Sequence, residues 1–192
     1  MDTLLIIATW LFLITHLDTF LVLVAFSVDE TYRKREVLIG HYIGFTLGLF
    51  GAVIGAMLAV ELLEGRTHLL GILPLSLGLG GLLKRYPEVE IDEEPITVGP
   101  IARIGVVTSA GIGLSGENLA LFIPFFAGIS IAEIGVISGY YLLAAGILYL
   151  VAVVTADVTT TVGFPTWLER YLVPSVLTVV GIYVLASGWF LG

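Results

Sequence analysis

The chain has 192 residues, of which 58% are apolar and only 12% charged, and its mean hydropathy is +1.06. Soluble domains carry roughly 25% charged residues, so an ordinary soluble fold is excluded and a membrane protein is indicated. There is no cysteine, which removes disulfide frameworks, thiolate metal sites and thiol redox chemistry together; the net charge of −8 reads either as the acidic surface of a salt-adapted protein or as a few acidic loops dominating a small charge total.

A helix crosses the hydrocarbon core with about 20 apolar residues. In chain order the pattern predicts six such spans: Leu4–Val28, Val37–Leu63, Leu69–Leu83, Ile101–Ala127, Ile131–Ala156 and Leu172–Leu191. The fold expected is therefore an all-α polytopic membrane protein. The first span begins Met-Asp-Thr with no basic segment before it, so it reads as a retained helix and not as a signal peptide.

That span carries an unusual polar cluster, "THLDTF". A charge at the bilayer centre costs ~2.5–3.5 kcal/mol on insertion scales, so Asp18 demands something that offsets its burial. On an unbroken helix Thr15, Asp18 and Thr19 share one face, and His16 lies about 160° away from Asp18. The second span holds His41 and Tyr42 near its start. In the fourth, Gly111, Gly113 and Gly116 precede Glu117 and Asn118, with Ser115 among them and Pro124 beyond. Each glycine weakens a helix by ~1 kcal/mol. A broken helix here would expose backbone carbonyls beside Glu117, as in cation transporters; the alternative reads the same glycines as close-packing positions.

The connections fix an orientation. Arg33, Lys34, Arg35, Lys84, Arg85, Arg103 and Arg170 fall on one side, and Arg66 alone on the other. The positive-inside rule then places both termini outside the cell membrane. Spans one to three also match spans four to six at a nearly constant offset: Asp18 with Glu117, Thr19 with Asn118, Tyr42 with Tyr140, Gly48 with Gly146, Pro74 with Pro174 and Gly81 with Gly181. Two inverted three-helix repeats follow, 1–83 and 101–192, joined by an acidic cytoplasmic linker at 84–100. Inverted repeats set their substrate site at the repeat interface near the midplane. Asp18 and Glu117 are thus expected to approach one another there.

The candidate metal site comprises Asp18, Glu117, Asn118, Thr15, Thr19, Ser115 and His41. Two carboxylates with hydroxyl, amide and imidazole groups suit a divalent cation, carried as substrate and not as a cofactor. Without metal, neighbouring carboxylates in a low dielectric hold a proton, and metal binding releases it, which is a basis for proton-coupled antiport. The plainer reading makes Asn118, Thr15, Thr19 and Ser115 interhelical hydrogen-bond groups. His16 reads as a packing residue, or one that orients a ligand, in preference to a ligand itself. The expected partners are the cation and the lipid bilayer; no nucleic acid and no resident cofactor are expected, and assembly as a homo-oligomer is left open.

Four segments, "THLDTFLVLVAF" (15–26), "GHYIGF" (40–45), "LLGILPLSLGL" (69–79) and "GLSGENLALFIPFF" (113–126), resemble in order the landmarks of the CadD-type cadmium resistance transporters of the LysE superfamily of exporters. The resemblance implies six spans, efflux of a metal ion, and functional residues that map to Asp18, Glu117 and Asn118. This chain departs from that pattern at Thr19, which replaces a second aspartate, and at His16 and His41, which replace amides. Glu117 replaces an aspartate. Cd²⁺ favours thiolate, which is missing, whereas oxygen and imidazole also suit Zn²⁺ and Mn²⁺. The alternative is a LysE-type exporter of amino acids or small metabolites; paired acids would repel its carboxylate, and no Lys or Arg lies within a span's interior. An intramembrane aspartyl protease would need a second aspartate where Glu117 stands, so no enzyme is expected.

Overall fold

The protein's structure, a computed structural model, describes residues 2–63, 69–70, 72, 75–76, 79, 99–158, 175, 178–179, 182 and 185–186, and the backbone but not the side chain of residue 117. Among these residues there are five long helices and no strand: α1 (Asp2–Thr15), α2 (Leu17–Val28), α3 (Lys34–Leu63), α4 (Pro100–Ala127) and α5 (Ile131–Val158). The predicted third and sixth spans and the acidic linker lie for the most part outside the described residues.

α3 and α5 have 30 and 28 residues, about 45 and 42 Å at 1.5 Å per residue. Each is long and apolar enough to cross a membrane. The other two predicted spans are present but bent. α1 and α2 meet at 52°, and the two parts of α4, Pro100–Gly116 and Asn118–Ala127, meet at 60°. Taken as one span each, the bent pairs bring the number of candidate spans to four.

The first bend corrects the expectation of one continuous helix over Leu4–Val28. No glycine or proline marks it. Its cause lies in side chains that compete for the backbone. Phe12 O accepts both the His16 N–H (3.0 Å) and the ring Nδ1–H (2.9 Å), and the Thr15 hydroxyl donates to Leu11 O (2.9 Å). His16 leaves the helical region at φ −109°, ψ 17°, and α2 begins immediately after it.

α3 and α4 run parallel and in register. Glu36 pairs with Arg103, 67 residues on, and the same spacing matches Gly40 with Val107, Gly44 with Gly111 and Gly48 with Ser115. Gly40, Gly44 and Gly48 recur every four residues, and small residues at that spacing let membrane helices approach closely. A Cβ on Gly40 would lie 2.9 Å from Ile104 O, and one on Gly44 would lie 3.0 Å from Thr108 O. α5 runs antiparallel to α3. Lys34 pairs with Asp157, the Tyr149 hydroxyl donates to Lys34 O (2.6 Å), and the Tyr42 hydroxyl donates to Leu142 O (3.2 Å). α1 and α2 lie along α5 in the same sense as it: the Tyr141 hydroxyl meets Ala8 O at 3.1 Å, and Leu23 and Val24 share a cluster with Tyr149, Ala152 and Ala156. Ser130 and Glu133 form a reciprocal capping box at the start of α5, which fixes the short turn from α4.

Polarity is distributed in the manner of a membrane protein. Trp10, Leu47, Phe50, Leu143, Ile147, Leu150 and Val154 are exposed, whereas His16, His41, Thr15, Thr19, Ser115, Asn118 and Glu36 are buried. Soluble monomers rarely show such broad apolar faces. Ionisable groups buried within spans mark substrate or ion pathways, whereas buried Ser, Thr and Asn also serve as interhelical hydrogen-bond groups.

Candidate functional site

The two bends lie side by side, and the polar residues around them divide between two small cavities. The first is lined by His16 from the α1–α2 bend, Phe45 and Gly48 from α3, and Ser115, Asn118 and Phe122 from α4. The second is lined by Thr19 and Phe26 from α2, His41 from α3, and Val107 and Gly111 from α4. Each has a volume of about 10 Å³, room for one water-sized body. On all three helices the second set lies nearer the Glu36–Arg103 end. Phe45 stands between them, its ring centroid 5.4 Å from His16 and 6.1 Å from His41.

Asp18 sits in the first turn of α2. Its Oδ1 accepts the Thr19 N–H at 2.6 Å and the Thr19 hydroxyl at 3.3 Å. The positive end of a helix dipole favours a carboxylate in that position, so the break at His16 provides a local partner for a charge that an unbroken span would lack. Glu117 stands at the 60° bend of α4. Its side chain, and with it the expected approach to Asp18, lies outside the described residues.

The hydroxyl groups share one orientation. Ser115 Oγ donates to Gly111 O (2.8 Å), Thr15 Oγ1 to Leu11 O (2.9 Å), and Thr19 Oγ1 to Asp18. Their protons are committed, and what each oxygen still offers is a lone pair. The imidazoles follow suit. His41 Nε2–H donates to Ala145 O (3.2 Å), leaving Nδ1 as the acceptor nitrogen. These hydroxyl oxygens and the acceptor ring nitrogen present lone pairs of the kind a cation can use.

Of the candidate residues, Ser115 and Asn118 line the first cavity and Thr19 and His41 the second, and Asp18 lines neither. Thr15 does not share a helical face with Asp18 and Thr19, because the bend places it on α1. It packs instead against His16, 2.9 Å from Nδ1. Among the described residues no group of three or more His, Asp or Glu is close enough to hold a metal ion.

Two features escaped the sequence reading. Gly40, Gly44 and Gly48 set the α3–α4 contact that closes both cavities, and their spacing of four was a readable signal. In the sequence Arg103 counts only among the positive charges that set orientation, and Glu36 is not singled out at all. They form a bidentate pair (2.7 and 2.8 Å) that joins the starts of α3 and α4, with 7% and 15% of the side chains exposed.

Comparison with protein families matches residues 12–189 to a family described as Cadmium resistance transporter. Neither the comparison with curated proteins nor that with solved structures returned a match.

Proposed function

Because this chain belongs to the cadmium resistance transporter family, we propose that it is a secondary transporter exporting a divalent cation, Cd²⁺ or a relative such as Zn²⁺ or Mn²⁺, across the cell membrane in exchange for protons. The observation that carries this reading is the first cavity: buried lone-pair donors from two bent spans around a space of about 10 Å³. A dehydrated ion fits a space of that size. Pockets for small organic ligands run to about 300–1,000 Å³.

The size argument bears on the metabolite alternative. A larger cavity of about 360 Å³ lies between Gly55, Leu58, Leu62, Leu70, Ile123 and Pro124. Among the described residues its lining has no side chain to hold an amino acid's two charges. The polar cavities are too small for such a substrate, and the large one is too apolar.

Asp18 and Glu117 are assigned as the paired carboxylates, one from each repeat, that exchange protons for metal. Several features support two inverted repeats. The bends fall near matching positions, at His16 and Glu117. α3 packs on α4 while α1 and α2 pack on α5, the exchange that a twofold relating spans one to four and two to five would make. Lys34, Glu36, Arg103 and Asp157 share one end of the bundle, assigned to the cytoplasm by the excess of Lys and Arg.

In a metal-sensitive host, expression should raise tolerance to at least one of Cd²⁺, Zn²⁺ and Mn²⁺, and Asp18→Ala should abolish the gain. In inverted vesicles an imposed pH gradient should drive metal uptake. Metal flux indifferent to that gradient would remove the antiport element, and a metabolite phenotype in place of metal tolerance would favour the alternative.

A further inference from the structure

His16 is the least expected occupant of the first cavity, and its surroundings assign it a task. The break between α1 and α2 turns its ring inward until only 2% of the residue is exposed. The ring stacks on Phe12 at 4.2 Å and lies 5.9 Å from Phe122, so it is wedged in one orientation. Nδ1 is 2.9 Å from Phe12 O and 2.9 Å from Thr15 Oγ1. A carbonyl oxygen only accepts, so the ring's proton belongs on Nδ1, an assignment made from the network. Thr15 spends its own proton on Leu11 O and meets His16 as an acceptor.

Nε2 is left with its lone pair and, among the described residues, without a hydrogen-bond partner. A histidine that binds metal characteristically donates its other ring N–H to a backbone carbonyl or carboxylate, which fixes tautomer and ring plane. His16 already has that arrangement. The cavity it lines also holds Ser115, whose proton is committed to Gly111 O, and Asn118, 6% exposed. An imidazole, a hydroxyl and a carboxamide, each with a lone pair to offer, thus line an ion-sized space. The second cavity differs, because apart from His41 and Thr19 its walls are Val22, Leu23, Phe26, Val107 and Leu114 with Gly111.

We propose that the cavity formed by His16, Ser115 and Asn118 is a cation station in which His16 Nε2 supplies the nitrogen ligand, so that this chain favours imidazole-binding ions of the Zn²⁺ type over oxygen-preferring Mn²⁺. The inference rests on the export reading above and refines it. Imidazole suits Zn²⁺, whereas carboxylate, carbonyl and water suit Mn²⁺. His16 therefore acts on the choice of ion, and Asp18 and Glu117 on its charge.

The test uses the full chain labelled with ¹⁵N-histidine in nanodiscs. There are three histidines, so His41→Gln and His68→Gln assign the His16 signals by elimination. On titration with Zn²⁺ the His16 Nε2 resonance should move to that of a metal-bound nitrogen while Nδ1 stays protonated. An Nε2 signal unmoved at saturating Zn²⁺ overturns the proposal, and this measurement leaves His16 itself intact. In proteoliposomes, His16→Gln should lower Zn²⁺ uptake at least about tenfold more than Mn²⁺ uptake, the lower end of what losing even an outer partner of a metal site costs. An equal fall for both ions would make His16 structural only and refute the assignment. Failure of the export reading looks different: the unaltered protein would move no divalent ion at all.

Discussion

Gly40 and Gly111 show how finely single atoms set the closure of the site. A methyl at Gly40 would meet Ile104 O at 2.9 Å and Val107 Cβ at 2.6 Å, backbone and branch point, neither of which can swing away. At Gly111 the nearest atom is Gly44 Cα at 3.5 Å, ordinary contact. Gly40→Ala should therefore destabilise the protein by about 1–3 kcal/mol, the usual cost of overpacking, and Gly111→Ala should be neutral or gain up to ~1 kcal/mol from helix propensity. Thermal unfolding in detergent distinguishes them; equal effects would mean that α3 and α4 do not meet through this stripe. The two ion pairs invite a similar contrast. Lys34 and Asp157 are 53% and 60% exposed, and pairs of that kind contribute ~0–1 kcal/mol. Arg103→Ala strands a carboxylate with 7% exposure and should lower the unfolding temperature more than Lys34→Ala. The opposite ranking would show that the Glu36–Arg103 pair does not tie the helices.

At the scale of the helices, the bends are what turn polar residues into a site. In α4, a Cβ added at Gly113 or Gly116 would meet nothing within 4 Å among the described residues; close packing does not explain these glycines there. Replacing both by alanine should strengthen the helix by about 1 kcal/mol each while slowing transport, because a straighter α4 withdraws Ser115 and Asn118 from His16. Raised stability with unimpaired flux would show that the bend is incidental. The second, fourth and fifth spans were legible to within three residues, since long apolar runs bounded by Arg-Glu, Gly-Pro or Ser leave little choice. The α4 bend was legible too, through its glycines. The bend at His16 was not. "LITHLDTF" contains no helix breaker, and the competition of Thr15 and His16 for the carbonyls of Leu11 and Phe12 emerges only once the ring is pinned between Phe12, Phe45 and Phe122. Reading one face across Thr15, Asp18 and Thr19 failed for that reason. Which of these residues group together depended on tertiary contacts that a linear pattern does not carry.

For the whole molecule, the absence of native cysteine makes the topology directly measurable. Single cysteines at Thr31 and Asp157 should react with a membrane-impermeant maleimide only from the cytoplasmic face, and one at Ser130 only from outside. Labelling of all three from one face would contradict both the parallel α3–α4 pair and the alternation of spans. The broader proposal is that two bent spans, brought together by a parallel helix pair, carry a divalent ion among buried lone-pair donors, its charge offset by Asp18 beside the first bend. Its most direct test is flux of Cd²⁺, Zn²⁺ and Mn²⁺ into proteoliposomes containing the purified protein or its Asp18→Asn variant, which keeps the side chain's size and removes its charge. The account predicts saturable uptake of at least one ion by the unaltered protein and a loss of at least about tenfold, or 1.4 kcal/mol, in the variant; uptake that survives the substitution undiminished would contradict it.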